Sequence, residues 1–186
     1  MSYTFTENKA GLESLNTILT QMKTMYVKVG FPGEKKPGKP TTEGSGHKPA
    51  SDMATIATIA AVHEFGTTRA GRGNSVTIPA RPFMQPALYQ NKKKLGQLSK
   101  RFSTEVMTGK RTVKNSLELM GEFMVGNIQK AIDDVEEPPL SAATILAKGS
   151  SKPLIDTGQM KNSVTYIVME RAGKKEVPVD KKTETV

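Results

Sequence analysis

Two apolar stripes, laid end to end in the middle of the chain, constrain the fold most. Leu88, Leu95, Leu98, Phe102 and Val106 recur at steps of three, four and seven residues. After Gly109 a second series follows: Val113, Leu117, Met120, Met124, Ile128 and Ile132. A period near 3.6 residues places each series on one face of a helix. The first helix is expected to start around Pro82 to Pro86, where proline's fixed φ and missing donor do least harm, and to run to about Met107. The second is expected over 112–133, ended by Pro138 and Pro139. A link of about four residues favours antiparallel neighbours, so the chain is expected to hold two long antiparallel helices.

The flanking segments predict the rest of an α+β fold. Residues 4–25 read as a helix, with Thr4 and Glu7 at capping-box spacing and Leu12, Leu15, Leu19 and Met22 on one stripe. Val27, Val29 and Phe31 alternate, which predicts a short half-buried strand over 26–31. Asp52 is placed to cap a helix running to Phe65, and Gly66 to stop it. Residues 67–74 read as a polar, glycine-rich loop before a short extended piece at 76–78. Ser141 is placed to cap a helix over 142–147 closed by Gly149, and Asp156 with Gln159 has capping-box spacing for one or two helical turns over 157–162. A strand is expected at 164–170, with Val164, Tyr166 and Val168 on one face. The expected whole is shorter helices and the long pair packed on a small, mostly antiparallel sheet built around 26–31 and 164–170.

Two stretches carry no core pattern. Residues 33–51 are Gly, Pro, Lys, Ser and Thr with almost nothing apolar, too little to offset the entropy of ordering them, so a flexible loop or arm is expected. Residues 171–186 read as a loosely ordered tail, with 177–179 as a weak pairing segment. The remainder, 1–170, suits a single domain.

Composition closes off several classes of function. The chain has no cysteine, so disulfides and thiolate metal sites are excluded, in keeping with assembly in a reducing cytoplasm. The N-terminal MSYTFTENKAGLES lacks the basic-then-apolar order of a cleaved signal. No run approaches the roughly 20 apolar residues of a membrane helix, so no membrane partner is expected. Net charge is +9, concentrated at Lys92, Lys93, Lys94, Lys100, Arg101, Lys110 and Arg111 and opposed there by Glu105. Such a cluster faces nucleic acid, an acidic protein surface, or only solvent.

Catalytic constellations are missing. His63-Glu64 begins like a zinc-protease helix, but Thr67 stands where the second histidine belongs, and His47 is the only other imidazole. One histidine and one carboxylate do not hold a catalytic zinc. GTTRAGRG at 66–73 has the glycine spacing of a phosphate loop. Arg72 replaces its lysine, and Gly73 the magnesium-binding hydroxyl. Asp133, Asp134, Glu136 and Glu137 are near-consecutive at a helix end and point in different directions, which suits a solvated patch or a contact for a basic neighbour. Base stacking needs exposed aromatics among the basic residues. Only Phe102 lies in that stretch, on the core stripe.

Three segments together resemble a known family: AAVHEFGT at 60–67, IPARPFMQPAL at 78–88 and PLIDTGQMKNSVTYIV at 153–168. In order and spacing they are similar to the neck and tail-completion proteins of long-tailed bacteriophages, the group that includes minor tail protein Z of lambda-like phages. VKVGFP at 27–32 and PPLSAATILAKGSSKP at 138–153 fit the same pattern, so the resemblance spans about 7–170. It implies a late structural protein of the virion, with no catalysis and no cofactor. It implies a homo-oligomeric ring, six-fold or twelve-fold, at the head–tail junction. Its neighbours would be the head-side connector or head-completion protein and the tail terminator or tail tube, with non-specific contact to channel DNA. In that setting Arg81, stiffened by flanking prolines, either offers its guanidinium to a carboxylate or merely orients the long helix. Asp156 marks a corner that either stabilises the fold or meets a partner. The length and lysine content of 33–51 depart from the family pattern.

Overall fold

The computed structural model describes residues 9–33, 55–70, 73 and 75–171. In chain order the elements are α1 (Lys9–Thr24), β1 (Met25–Gly30), α2 (Ile56–Phe65), β2 (Thr67–Ala70), β3 (Val76–Ile78), α3 (Met84–Met107), α4 (Val113–Asp134), α5 (Ala142–Lys148), α6 (Gln159–Asn162) and β4 (Thr165–Glu170). The fold is α+β: helices with two two-stranded sheets, β1–β4 and β2–β3. The expected Thr4–Glu7 cap, nearly all of the 33–51 arm, Asp52 and the tail beyond Arg171 lie outside the described residues. The described residues group into two compact units, one drawn from 9–28, 93–121 and 167–171, the other from 29–33, 55–92 and 122–166.

In the first unit α1 leads directly into β1, and β1 pairs with β4 as the alternating residues predict. The Arg171 N–H donates to the Thr24 carbonyl at 2.8 Å, Thr24 Oγ1 donates to a Glu170 carboxylate oxygen at 3.3 Å, and the Tyr26 hydroxyl lies 3.7 Å from Met169 Sδ. Partner numbers fall on β4 as they rise on β1, so the pair is antiparallel. The end of α3 is a Schellman closure: Gly109 N–H returns to the Val106 carbonyl at 3.0 Å and Lys110 N–H to the Glu105 carbonyl at 2.9 Å. That arrangement needs a left-handed residue, and Gly109 takes φ +72°. Phe102, Val106 and Val113 are buried around this turn.

Two stripe assignments are corrected. Leu12, Leu15, Leu19 and Met22 share a face of α1, yet that face is exposed, Leu12 by 61%. Spacing defines a face; it does not supply the element that covers it. Leu88 is also exposed, because the inward face of α3 runs through buried Ala87, Phe102 and Val106 with half-buried Asn91, Leu95 and Leu98 between them, and Leu88 sits about 100° away from Ala87 around the helix.

In the second unit α2 buries Ile56, Ala60 and Glu64 along one face. Its N-terminus is capped by Thr55, whose hydroxyl accepts the Thr58 N–H at 3.2 Å, so the helix begins later than Asp52 would set it. The loop expected at 67–74 is instead half of a hairpin, with Thr67 opposite Ile78 and Ala70 opposite Val76 around an irregular step. No apolar alternation marks β2, since backbone pairing rather than a buried side-chain face holds it. Ser141 caps α5 by accepting the Thr144 N–H at 3.2 Å, and Gly149 closes it at φ +67°. Phe83, with no exposed surface, packs edge-on against Phe31 at a centroid distance of 5.9 Å, and Met124, Ile128, Ile132, Leu154 and Val164 are buried in the same unit.

Candidate functional site

The second unit draws its motif segments together at the end of α2. Glu64 is only 8% exposed. Its carboxylate accepts the N–H groups of Phe83 at 2.8 Å, Met84 at 2.9 Å and Gln85 at 3.0 Å. These are donors that the first turn of α3 cannot satisfy within itself, and the carboxylate also meets the positive end of that helix. One residue earlier, the His63 carbonyl accepts the Arg81 N–H at 2.7 Å. Gly66 lets the chain turn here: at φ +72° and ψ 173° its position for a Cβ lies 2.8 Å from Ala80 N and 3.0 Å from the Ile78 oxygen.

Arg81 is buried, and its guanidinium is committed to two backbone carbonyls rather than to a carboxylate. Nε donates to Pro138 O at 2.8 Å and an Nη to Pro139 O at 3.3 Å. It thereby pins the segment after α4 to the turn before α3.

Beside this knot lies a cleft of about 730 Å³ with apolar walls that include Ile56, Ile59, Ile78, Leu154 and Met160. Its ionisable groups are His63, Arg81, Lys148 and Asp156, and Thr77, Ser141, Thr144, Thr157 and Gln159 add uncharged polar ones. The His63 imidazole is held below its usual 6.5, first by burial and then by the charges of Arg81 and Lys148. Its Nδ1 is enclosed with no hydrogen-bond partner among the described residues. Lys148 is likewise lowered by burial, an effect that Asp156 opposes; its ammonium donates to Lys152 O at 3.1 Å and Pro153 O at 3.3 Å. Asp156 is exposed and does not cap: α6 begins after Gly158 with no side-chain cap. The capping-box spacing misleads because Gln159 is the first residue of α6 rather than its third.

The cleft combines apolar walls with a mostly cationic set of charges. Two of its hydroxyls, Ser141 Oγ and Thr144 Oγ1, lie 2.8 Å from each other within the α5 cap. Among the described residues no three metal-ligating side chains gather.

The basic residues of α3 are arranged differently. Lys92, Lys93, Lys94 and Lys100 are exposed. Arg101 is also exposed, but its Nε donates to Glu105 at 2.7 Å, and Arg111 donates to the other oxygen of that carboxylate at 2.7 Å. Arg111 also lies 5.2 Å from the centre of the Phe102 ring. Glu105 is held below the ordinary carboxylate range by the hydrogen bonds from Arg111 and Arg101. The acidic end of α4 has found basic partners too: Lys161 bonds the Asp133 carboxylate, and Lys152 donates to the Asp133 carbonyl at 2.8 Å.

Sequence reasoning missed Glu64 and Lys148. The signal for Glu64 was its place on the buried α2 face, one helical turn past Ala60; it was weighed only within a metal motif, and went no further once that motif was set aside. No family model, curated protein or solved structure matches the chain.

Proposed function

We propose that this chain is a structural subunit of a bacteriophage neck, a tail-completion protein whose copies close a ring between head connector and tail. One observation carries the reading. The segments on which the family resemblance rests, 60–67, 78–88 and 153–168, are joined in one packed unit rather than scattered. Glu64 of the first caps the helix begun by the second, and all three line the same cleft. Motifs of a shared structural core behave in this way, whereas three unrelated turns have no reason to meet.

Two features suit a protein that works by assembly. The α1 face carrying Leu12, Leu15, Leu19 and Met22 is open for a neighbour, as interaction surfaces on soluble subunits commonly are. The exposed lysines of α3 suit passage of DNA along a wall, since scattered ammonium groups offset phosphate repulsion without reading bases. In this reading α3 and α4 form the antiparallel pair that stiffens each subunit, and the protein resides in the virion after assembly in the host cytoplasm. No helix among the described residues is long and apolar enough to cross a membrane.

The rival reading is a DNA-binding or packaging accessory protein acting through 92–111. The exposure of Lys92, Lys93, Lys94 and Lys100 favours it; the commitment of both Arg101 and Arg111 to Glu105 weakens it. Mass spectrometry of purified virions, with imaging of particles made without this protein, tests the choice. Stoichiometric presence in the particle, and heads and tails that fail to join in its absence, are expected. Absence from virions, together with salt-dependent DNA binding by the free chain, would overturn the neck assignment.

A further inference from the structure

The cleft of the second unit carries more positive charge than its own residues balance. Arg81 is 5% exposed and lines it. Two of the five N–H groups of its guanidinium reach the Pro138 and Pro139 carbonyls, and among the described residues no carboxylate joins them. Lys148 lines the same space, and two of the three N–H groups of its ammonium go to the Lys152 and Pro153 carbonyls. Backbone carbonyls satisfy donors, but they do not cancel charge, and a cation held in the interior without a counter-charge is costly. Among the described residues the cleft has one carboxylate, Asp156, and it is exposed. Set against Arg81 and Lys148, it leaves one positive charge over.

His63 adds a polar atom to the same place. Its Nδ1 is enclosed with no partner among the described residues, and Arg81 and Lys148 both press its pKa down. The three side chains therefore lie within electrostatic reach of one another, although they come from α2, the turn before α3, and α5.

The remaining walls decide which kind of anion fits. Ile56, Ile59, Leu154 and Met160 contribute apolar surface, which favours a ligand with a hydrocarbon body. Sulfate and phosphate have no such body, and a dianion would overshoot the single uncompensated charge. A carboxylate brings one negative charge and two acceptor oxygens, a match for the N–H groups that Arg81 and Lys148 have left. The volume, about 730 Å³, falls within the range of roughly 300–1,000 Å³ usual for small-molecule clefts.

We infer that this cleft binds a small organic monocarboxylate, with the carboxylate between Arg81 and Lys148 and the apolar body against Ile56, Ile59, Leu154 and Met160. The inference goes beyond the neck reading and does not depend on it, since every residue involved lies in the second unit.

Octanoate is the probe, titrated into the full chain by calorimetry, with octylammonium, acetate and inorganic sulfate as comparisons. Each comparison lacks either the negative charge or the hydrocarbon body, so octanoate should bind at least about ten-fold more tightly than any of them. Lys148→Met should weaken octanoate by about ten-fold, and Lys148→Arg should recover most of the loss. The place of binding is read at His63. With His47→Gln, the His63 imidazole is the only one in the chain, and its NMR signals should move as octanoate is added. An anion between Arg81 and Lys148 offsets the charges that depress this imidazole, so its pKa should rise when octanoate is bound. That readout alters nothing in the cleft, and it decides the matter even where Lys148→Met weakens the fold. No octanoate binding, equal affinity for octylammonium, binding untouched by Lys148→Met in a folded chain, or binding that leaves the His63 signals and titration unmoved would each overturn the inference. The last result, if abolished by Leu12→Ser with Leu15→Ser, would assign the uptake to the exposed stripe of α1 instead.

Discussion

Replacing Glu64 by alanine tests the reasoning about the knot most directly. The carboxylate accepts three backbone N–H groups over 2.8–3.0 Å, and their surroundings set the magnitude. Phe83 has no exposed surface, so its N–H would remain unpaired and cost about 2 kcal/mol. Met84 is half-buried and Gln85 exposed; their N–H groups regain water at about 0.5 kcal/mol each. Removing an anion from the positive end of α3 adds about 1 kcal/mol. Glu64→Ala should therefore lose about 4 kcal/mol, seen in urea as a lower midpoint at unchanged slope and as a fall in Tm of about 8–16 °C for a chain of this size. Glu64→Gln keeps one acceptor oxygen but turns an NH2 towards a donor, and should lose about half as much. Hydrogen exchange should accelerate first at residues 83–85. A loss below about 1 kcal/mol for Glu64→Ala, less than a typical helix cap, would refute the assignment of Glu64 as the anchor of α3.

Gly66→Ala should cost at least about 3 kcal/mol, since a backbone at φ +72° and ψ 173° is nearly restricted to glycine and the new Cβ would meet Ala80 N at 2.8 Å; thermal melts will show it. His63 has a folded pKa below 6.5, so between the two values the unfolded chain holds the extra proton. Stability should fall as pH drops below 6.5, by at most about 1.4 kcal/mol per pH unit, until folded His63 protonates. Urea midpoints at several pH values should lose that slope in His63→Leu. Leu12→Ser with Leu15→Ser should leave the Tm within about 4 °C, because each surface change usually alters stability by no more than about 0.5 kcal/mol, while sharply reducing assembly measured by sedimentation. Neutralising Lys92, Lys93 and Lys94 should likewise spare the fold and lower particle yield or infectivity modestly; unchanged infectivity would return those lysines to plain solvated surface.

What the sequence determined by itself was local. The periods of α3 and α4, the Ser141 and Gly149 ends of α5, the glycine stop at Gly66 and the alternation in β1 and β4 are each written within a few neighbouring residues, where backbone sterics and spacing decide. The side-chain partners were not legible there. Whether the Leu12–Met22 stripe is covered depends on elements elsewhere in the chain or on another chain. That Thr67-Thr68-Arg69-Ala70 is a strand depends on β3 arriving beside it, because its own side chains show no buried face. Asp156 and Gln159 have a cap's spacing, but the start of α6 fixes whether the spacing is used, and it starts too late. Glu64 resembled half a metal site. Only the fold, by bringing the start of α3 to the end of α2, supplied three N–H donors to its carboxylate. A charged group is left in the interior only when such donors surround it, and those donors come from residues 19–21 positions away, beyond any pattern that local spacing can encode.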